Sequence, residues 1–376
     1  MLKYIILYLV KFRRFIQRFF WRGVWMLGSG LMLWYPLRWW PGDRLLPVRL
    51  LNYFMPWLLV ALFPLLLLAI LTRRKELALC LTIPTIGISL SLAPQFIPTT
   101  TPVLADNRPL KVMSYNVLYT NQDIARIVAM IRAEQPDIIL LQEVVKPMIP
   151  AFNEELGTLY PDQAAHVIYE PAISQAVVSR YPLTAVDSDW QGRIQKVQVD
   201  TPTRLIQVWN IHPTTAIRQY KWQRQQQDLA RISQEVAEFD GPLILGGDFN
   251  TTPQSDNYRL ISPYLHNSHE QVGWRLGFSY PAEGYSLPNH TLAWQWKLLT
   301  QRPIRKLFKW IGLNRQPIGR DYKYIPISFG TLVRIDHIFY SDHFIATKAT
   351  ILTDGGGSDH LPIMAELQFK SMTMPD

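Results

Sequence analysis

The sequence predicts an α/β chain in two parts: an N-terminal segment of membrane-spanning helices over residues 1–97, and a layered α/β sandwich over residues 110–370. Three observations carry that reading. Apolar residues make up 48% of the chain but crowd before about Leu92, where Leu, Ile, Trp and Phe dominate. Beyond Arg108 short β-rich runs alternate with helical patterns, as in a sheet covered by helices. The net charge of +9 also divides unevenly, with 12 Lys/Arg against 2 acids in residues 1–105 and 26 against 27 in the remainder. The basic excess therefore belongs to the hydrophobic segment, where flanking cations set topology, and is no argument for a nucleic-acid partner of the second part.

Within the first part, the stretches 21–40, 51–71 and 77–97 each approach the roughly 20 residues that a bilayer-crossing helix needs. The second has no Asp, Glu, Lys or Arg, the first is edged by Arg22, Arg38 and several tryptophans, and the third carries Thr82 and Pro84. Lys3, Lys11, Arg13, Arg14, Arg18 and Arg22 lie at or before the first stretch, so the positive-inside bias puts the N-terminus in the cytoplasm. Three crossings then place the second part outside the cytoplasm, and two crossings inside. The expectation is a multi-pass protein of the lipid bilayer with an extracytoplasmic second part. A cleavable signal peptide fits less well, because the basic stretch is long and several hydrophobic segments follow. The single cysteine, Cys80, excludes an intrachain disulfide. PTTTPVLADNRP (98–109) lacks apolar periodicity and reads as a linker.

In the second part LKVMSYNV (110–117) reads as a strand, and Ile124, Ala125, Ile127, Val128 and Ile131 follow at helical spacing. DIILLQEV (137–144), QAVVSRYPL (175–183), RLIQVWNIH (204–212) and PLILGGDFN (242–250) read as further strands, with a long polar helix over 215–239 carrying Leu229, Ile232 and Val236 on one face. RIDHIFYS (334–341), ATKATILT (346–353) and PIMAELQF (362–369) complete the set.

Polar residues collect where these runs end. Asn116, Glu143, His212, Asp248, Asn250, Asp336, Asp359 and His360 all sit at strand ends or in the adjoining turns, which is where loops on a strand scaffold build a site. A single Asn or Asp there is ordinarily a turn residue; a series made only of carboxylates, amides and imidazoles points to chemistry. The ordered motifs SYNV, LLQEV, VVSRYPL, NIHP, GGDFN, RIDHIF and GSDHLPI resemble the endonuclease/exonuclease/phosphatase superfamily over Leu110 to Phe369.

The resemblance implies a four-layered α/β/β/α sandwich of DNase I type and a metal-dependent hydrolase of phosphate esters, of phosphodiesterase, nuclease or phospholipase class. It implies Glu143 as the main carboxylate ligand, with Asn116 and Asp359 beside it. Mg²⁺ suits so sparse an oxygen shell, and Mn²⁺ fits the same donors. Asp248 would activate water, Asn250 would donate to a phosphoryl oxygen, His360 would contact the phosphate while Asp336 orients it, and His212 would assist the phosphate or leaving group, with no acid assigned to it. Ser358 is expected to shape a turn and Arg180 to support the site floor.

Substrate identity is less legible. Segment 297–323 holds 8 Lys/Arg against one acid, with Phe308 and Trp310 inside it. It reads as a helix lying on anionic headgroups, as a nucleic-acid surface, or as a solvated helix packed on the sandwich. FSYPAEGYS (278–286) reads as a loop. The partner is thus a phosphate ester, either nucleic acid or lipid headgroup, and the oligomeric state is not written in the sequence. A non-catalytic membrane-bound binding module that kept the fold is the alternative from a different class; a degenerate site has no reason to retain both histidines and these carboxylates.

Overall fold

Along β1 (Leu110–Asn116) successive side chains turn to opposite faces, as the pleat requires, and both faces are covered. Val112 lies in a core between two sheets, while Met113 and Tyr115 pack beneath helices. A strand buried on both sides belongs to a layered sandwich, and the computed structural model shows one. It describes residues 2–97, 108–160, 164–189, 193–216, 218–282, 287–288, 324–325 and 330–370. Residues 98–107 of the 98–109 linker and the basic segment 297–323 lie outside the described residues.

The remaining strands are β2 (Ile138–Gln142), β3 (His166–Glu170), β4 (Gln175–Ser179), β5 (Leu183–Asp189), β6 (Ile194–Asp200), β7 (Leu205–Ile211), β8 (Leu243–Asp248) and β9 (His266–Asn267), then the short pair β10 (Leu287–Pro288) and β11 (Tyr324–Ile325), and finally β12 (Asp336–Tyr340), β13 (Phe344–Ile351) and β14 (Ile363–Phe369). One six-stranded sheet runs β13-β14-β1-β2-β4-β3 and the other β5-β6-β7-β8-β12-β9. Neighbours are antiparallel except β1/β2 and β7/β8. A parallel pair needs a crossover, supplied by α5 (Ile124–Glu134) and α7 (Gln219–Glu238).

Helix periodicity fixes which faces these crossovers bury. Ile124, Ile127, Val128 and Ile131 of α5 lie on one stripe against Met113, Ile139 and Leu141, joined by Phe152 and Leu156 of α6 (Ile149–Leu156). Leu229, Ile232 and Val236 of α7 cover Trp209, Leu243 and Leu245 on the far sheet. Between the sheets Val112, Leu140 and Val177 meet Val197, Val208, Ile244 and Ile338. The layers are thus α/β/β/α, as expected. Strands β3, β5 and β6, with the two-residue β9, β10 and β11, are additions to the sequence reading. β3 is half-buried over much of its length and β5 leaves Val186 half exposed, so neither carries a clean apolar run.

The N-terminal residues form α1 (Leu2–Leu37), α2 (Leu46–Tyr53), α3 (Met55–Leu71) and α4 (Lys75–Leu92). Trp21, Val24, Leu31 and Trp34 of α1 pack with Met55, Leu62, Leu81 and Ile88 in a core of their own. The expected multi-pass topology is corrected here. Among the described residues one helix, Lys75–Phe96 with mean hydropathy 1.8, is long and apolar enough to cross a bilayer, and α2 with α3 would count as a second only as one span bent by 79°. The 21–40 stretch, mostly the latter half of α1, falls short where Arg22, Gly23, Gly28, Ser29 and Gly30 dilute the apolar residues, and the 51–71 stretch is broken beside Phe54. One such helix is weak support for a membrane span, and the extracytoplasmic placement, which depended on counting crossings, falls with it.

Candidate active site

Strand direction gathers the polar residues. Parallel pairing sets Asn116 against Gln142 and Ile211 against Gly247, so the ends of β1, β2, β7 and β8 face one rim. Strands β12 and β14 run the other way and begin at that rim: Asp336 pairs with Asp248, and Ile363 with Ser114. Glu143, His212, Asn250, Asp359 and His360 are one to four residues beyond these ends. Gly247 makes the approach of β8 to β7 possible, since its φ is +149° and a Cβ would stand 1.9 Å from the Ile211 carbonyl oxygen. Glu143 and Asn250, at φ 63° and 51°, hold left-handed backbone, a conformation that costs a non-glycine residue roughly 1–3 kcal/mol and clusters at working sites.

A hydrogen-bonded run crosses the rim. Asn116 Nδ2 donates to Glu143 Oε1 at 3.2 Å and to Asp248 Oδ2 at 3.1 Å, while Asn116 Oδ1 accepts from the Leu118 amide at 3.0 Å. Glu143 Oε2 accepts from the Tyr119 amide at 2.9 Å. Asn250 donates to Asp248 twice, from its backbone N at 2.9 Å and from Nδ2 at 3.3 Å, and from Nδ2 again to the Pro213 carbonyl at 3.1 Å. Its amide is therefore engaged in orienting Asp248. His360 Nδ1 lies 2.9 Å from Asp336 Oδ2, with Nε2 turned toward Asp248 Oδ2 at 3.7 Å. His212 Nε2 is 3.5 Å from Asp248 Oδ2 and 3.9 Å from Glu143 Oε1, so these two acids are the ones that face it. Asp359 is half-buried at the same rim, close enough to His360 and Glu143 for their charges to act on it.

Burial and crowding set the protonation states. Burial raises the Asp248 carboxyl to about 7, with Asp336 adding to the effect and His360 opposing it. Burial raises Asp359 as well. For His360 burial works downward, but Asp336 and Asp248 carry the imidazole well above its ordinary value. His212 goes the other way, lowered to about 4 by burial, with Arg193 and His360 in the same direction. At neutral pH the rim thus holds one charged and one neutral imidazole.

The donor set fits a hard divalent cation. Asn116, Glu143 and Asp359 carry oxygen donors of the kind such an ion takes, and Glu143 lies near enough to Asp359 for their like charges to oppose one another, which a cation would relieve. The group of described residues compact enough to hold an ion by itself is a different one, Asp248, Asp336 and His360, with ligand atoms within 4.8 Å of one another. There His360 Nδ1 and Asp336 are already committed to each other.

Two side chains were missed in the sequence. Ser279 Oγ donates to Asp336 Oδ2 at 2.6 Å, and the Tyr280 ring packs on His360 at 4.9 Å; both lie in the 278–286 stretch read only as a loop. Ser358 behaves as expected, its Oγ donating to the Asn116 carbonyl at 2.6 Å and accepting from the His360 amide at 3.1 Å. Arg180 does not support the floor. It pairs with Asp137 at 3.3 Å and lies over Tyr160, at the opposite end of β2 from Glu143. A cavity of about 720 Å³ opens from Glu143 and His212, walled in part by Tyr119, Arg193, Lys221 and Arg224.

The Endonuclease/Exonuclease/phosphatase family matches residues 113–360, about two thirds of the chain and the whole of this rim. Among solved structures, the chain is similar to an endonuclease/exonuclease/phosphatase from Beutenbergia cavernae (21% identity, TM-score 0.43, covering 70% of this chain and 72% of that one). It is also similar to the mannosyl-6-phosphatase of Bacteroides thetaiotaomicron (18%, 0.46, 69% and 100%) and to D. rerio TDP2 complexed with single strand DNA product (14%, 0.46, 69% and 98%). A search of curated proteins finds no match. The family match, over the same residues whose strands build the rim, identifies this chain as a member of the endonuclease/exonuclease/phosphatase family.

Proposed function

We propose that this chain hydrolyses a phosphate ester in a Mg²⁺-dependent reaction, Mn²⁺ fitting the same donors, and that residues 1–97 hold the catalytic part, residues 110–370, at a lipid surface through the 98–109 linker. Members of the family are hydrolases of phosphate esters and generally use divalent metal ions. The observation that carries the reading is the run Glu143–Asn116–Asp248–Asn250 standing beside the His360–Asp336 pair at one rim.

Asp248, with its carboxyl near 7 and both oxygens oriented by Asn250, is suited to take the proton of an attacking water. The charged His360 imidazole, held at Nδ1 by Asp336, stabilises negative charge on a phosphoryl oxygen. His212, neutral and facing Asp248 and Glu143, assists at the leaving oxygen. Glu143, Asn116 and Asp359 would hold the ion, which when bound neutralises charge on the phosphoryl oxygens. Arg193, Lys221 and Arg224 along the cavity suit a substrate with further negative charge, whether nucleic-acid backbone or anionic headgroup.

The lipid attachment rests on α1. Tyr8, Phe12, Phe15 and Phe19 stand 51–74% exposed, among the cations Lys11, Arg13, Arg14 and Arg18. Apolar rings interleaved with basic groups suit an anionic membrane interface.

The test is hydrolysis of bis-p-nitrophenyl phosphate, plasmid DNA and mixed phospholipid vesicles by the full-length chain, with Mg²⁺, Mn²⁺ or EDTA, beside Glu143→Ala and His360→Ala. Metal-dependent turnover lost in both variants supports the proposal, and the preferred substrate assigns the class. No turnover in any metal returns the chain to a binding role.

A further inference from the structure

Helices α2 and α3 meet at a break bent by 79°, and two residues flanking it leave the helical core for the catalytic part. The Tyr53 hydroxyl donates to the Asn250 carbonyl oxygen. Trp57 Nε1 donates to the Leu332 carbonyl at 2.7 Å, and its ring stacks on Phe278 at 5.7 Å. Phe278 immediately precedes Ser279, the donor to Asp336, and Tyr280, which covers His360. One bend of the N-terminal segment therefore reaches both walls of the site.

The contact at Asn250 bears directly on Asp248. The Asn250 backbone is left-handed at φ 51°, and its N and Nδ2 are the atoms that orient both Asp248 oxygens. Its carbonyl takes two donors, Tyr53 from the helical segment and Gln225 Nε2 from α7 at 3.0 Å. Held from both sides, the turn has little freedom to rotate. Removing either donor leaves the carbonyl held from one side only and loosens the peptide from which Asp248 is aimed.

The docking beneath Tyr53 is built rather than grazing. Asp43 and Asp256 exchange hydrogen bonds, each backbone N donating to the other's carboxylate at 2.6 and 2.8 Å. Asn52 Nδ2 secures Asp43 Oδ1 at 2.7 Å. Gly42, at φ +68°, allows the approach, since a Cβ there would lie 2.1 Å from Asp256 Oδ2. Arg49 reaches Gln219 at 3.3 Å and lies over the Trp222 ring.

We infer that Tyr53 is a positioning residue for the Asp248–Asn250 turn, so that the N-terminal helical segment completes the active site instead of serving only as an anchor. The kinetic part of its test rests on the proposed phosphoesterase reading; the structural part does not. In the full-length chain, Tyr53→Phe deletes the donor and keeps the ring. Amide hydrogen exchange over residues 247–252 is expected to rise roughly fivefold, the shift that one hydrogen bond of ordinary strength supports, with β7 unchanged. On bis-p-nitrophenyl phosphate kcat is expected to fall by about the same factor with KM held within about twofold, and Tyr53→Phe is expected to cost less in an Asn250→Ala background, where only the backbone N of the turn still orients Asp248.

Exchange at wild-type rates over 247–252 overturns the inference, and so do losses that multiply in the double variant. If the wild-type chain turns over no substrate, the phosphoesterase reading fails while the exchange measurement still decides the role of Tyr53.

Discussion

His360 and Asp336, 24 residues apart in the chain, share a hydrogen bond from Nδ1 to Oδ2 of 2.9 Å, and Asp336 in turn receives the Ser279 hydroxyl at 2.6 Å. The carboxylate is thereby fixed on two sides, and the imidazole it holds presents Nε2 to the rim. An acid in that position fixes the tautomer and stabilises the charged form.

Asp336→Asn keeps the shape of that arrangement and removes its charge. The His360 imidazolium then loses its strongest support against burial and becomes neutral at a lower pH. We expect kcat to fall about 10²- to 10⁴-fold, with KM little changed, in steady-state assays at neutral pH. A loss below about threefold would remove the pair from the chemistry.

Metal binding has a readout that does not require turnover. Mn²⁺ that binds only the folded chain raises its melting temperature, by about 2.7 kcal/mol of stabilisation at a concentration 100 times Kd. Glu143→Gln is expected to abolish most of that gain while melting near the wild type in EDTA. Equal gains in both proteins would place the ion elsewhere.

Gly247 admits no side chain. An added Cβ meets the Ile211 carbonyl at 1.9 Å, in a backbone conformation that L residues rarely adopt. Overpacking and backbone strain together predict that Gly247→Ala loses roughly 3 kcal/mol or more, read as a drop in the denaturant midpoint. A change below about 1 kcal/mol would contradict the strand geometry here.

The contribution of His337 to stability should decline on mild acidification. His337 is buried, with Nε2 donating to the Thr251 carbonyl at 3.0 Å and Nδ1 3.2 Å from Asn267 Nδ2, and burial lowers its pKa well below 6.5. Below about pH 6.5 the unfolded chain takes up a proton that the folded chain refuses, so this stabilisation is complete above that pH and is lost as pH falls toward the folded-state value. His269, lowered to about 4, acts with the same sign. Asp248, raised to about 7, acts with the opposite sign in the same window, so the readout is the difference: between about pH 7 and 5 the melting temperature of His337→Gln should gain on that of the wild type, and parallel profiles would show that the site does not titrate as described.

Lipid attachment through α1 should depend on charge and salt. Replacing Lys11, Arg13, Arg14 and Arg18 by Glu is expected to reduce co-flotation with anionic vesicles by more than tenfold, each cation contributing about 1 kcal/mol near the surface. Binding that ignores both the substitutions and ionic strength would assign α1 another partner.

Much of this was legible because it depends on local patterns. Alternation along LKVMSYNV and PLILGGDFN, the helical stripe of Ile124, Ile127, Val128 and Ile131, and polar residues at strand ends are written in short stretches, and they led to the strands, the helices and the polar set Asn116, Glu143, His212, Asp248, Asn250, Asp336, Asp359 and His360, with the sandwich implied by the resemblance of the ordered motifs. Strand direction then brings those ends together, as the pairings of Asn116 with Gln142 and Asp336 with Asp248 show.

Composition misled where length and apolarity stood in for topology: α1 runs through the first expected span, and the second breaks beside Phe54. What the sequence by itself determined was therefore the series of strands and helices and the polar residues at their ends, which are local patterns, while the sandwich was what the resemblance of its ordered motifs implied. Only the tertiary structure decided that Asp248 and Glu143 face His212, that Ser279 serves Asp336, that Arg180 sits at the wrong end of its strand, and that Tyr53 reaches Asn250 across 197 positions. Hydrogen bonds act over about 3 Å of space whatever the separation along the chain, and no local pattern records which distant residue the fold will bring within that reach.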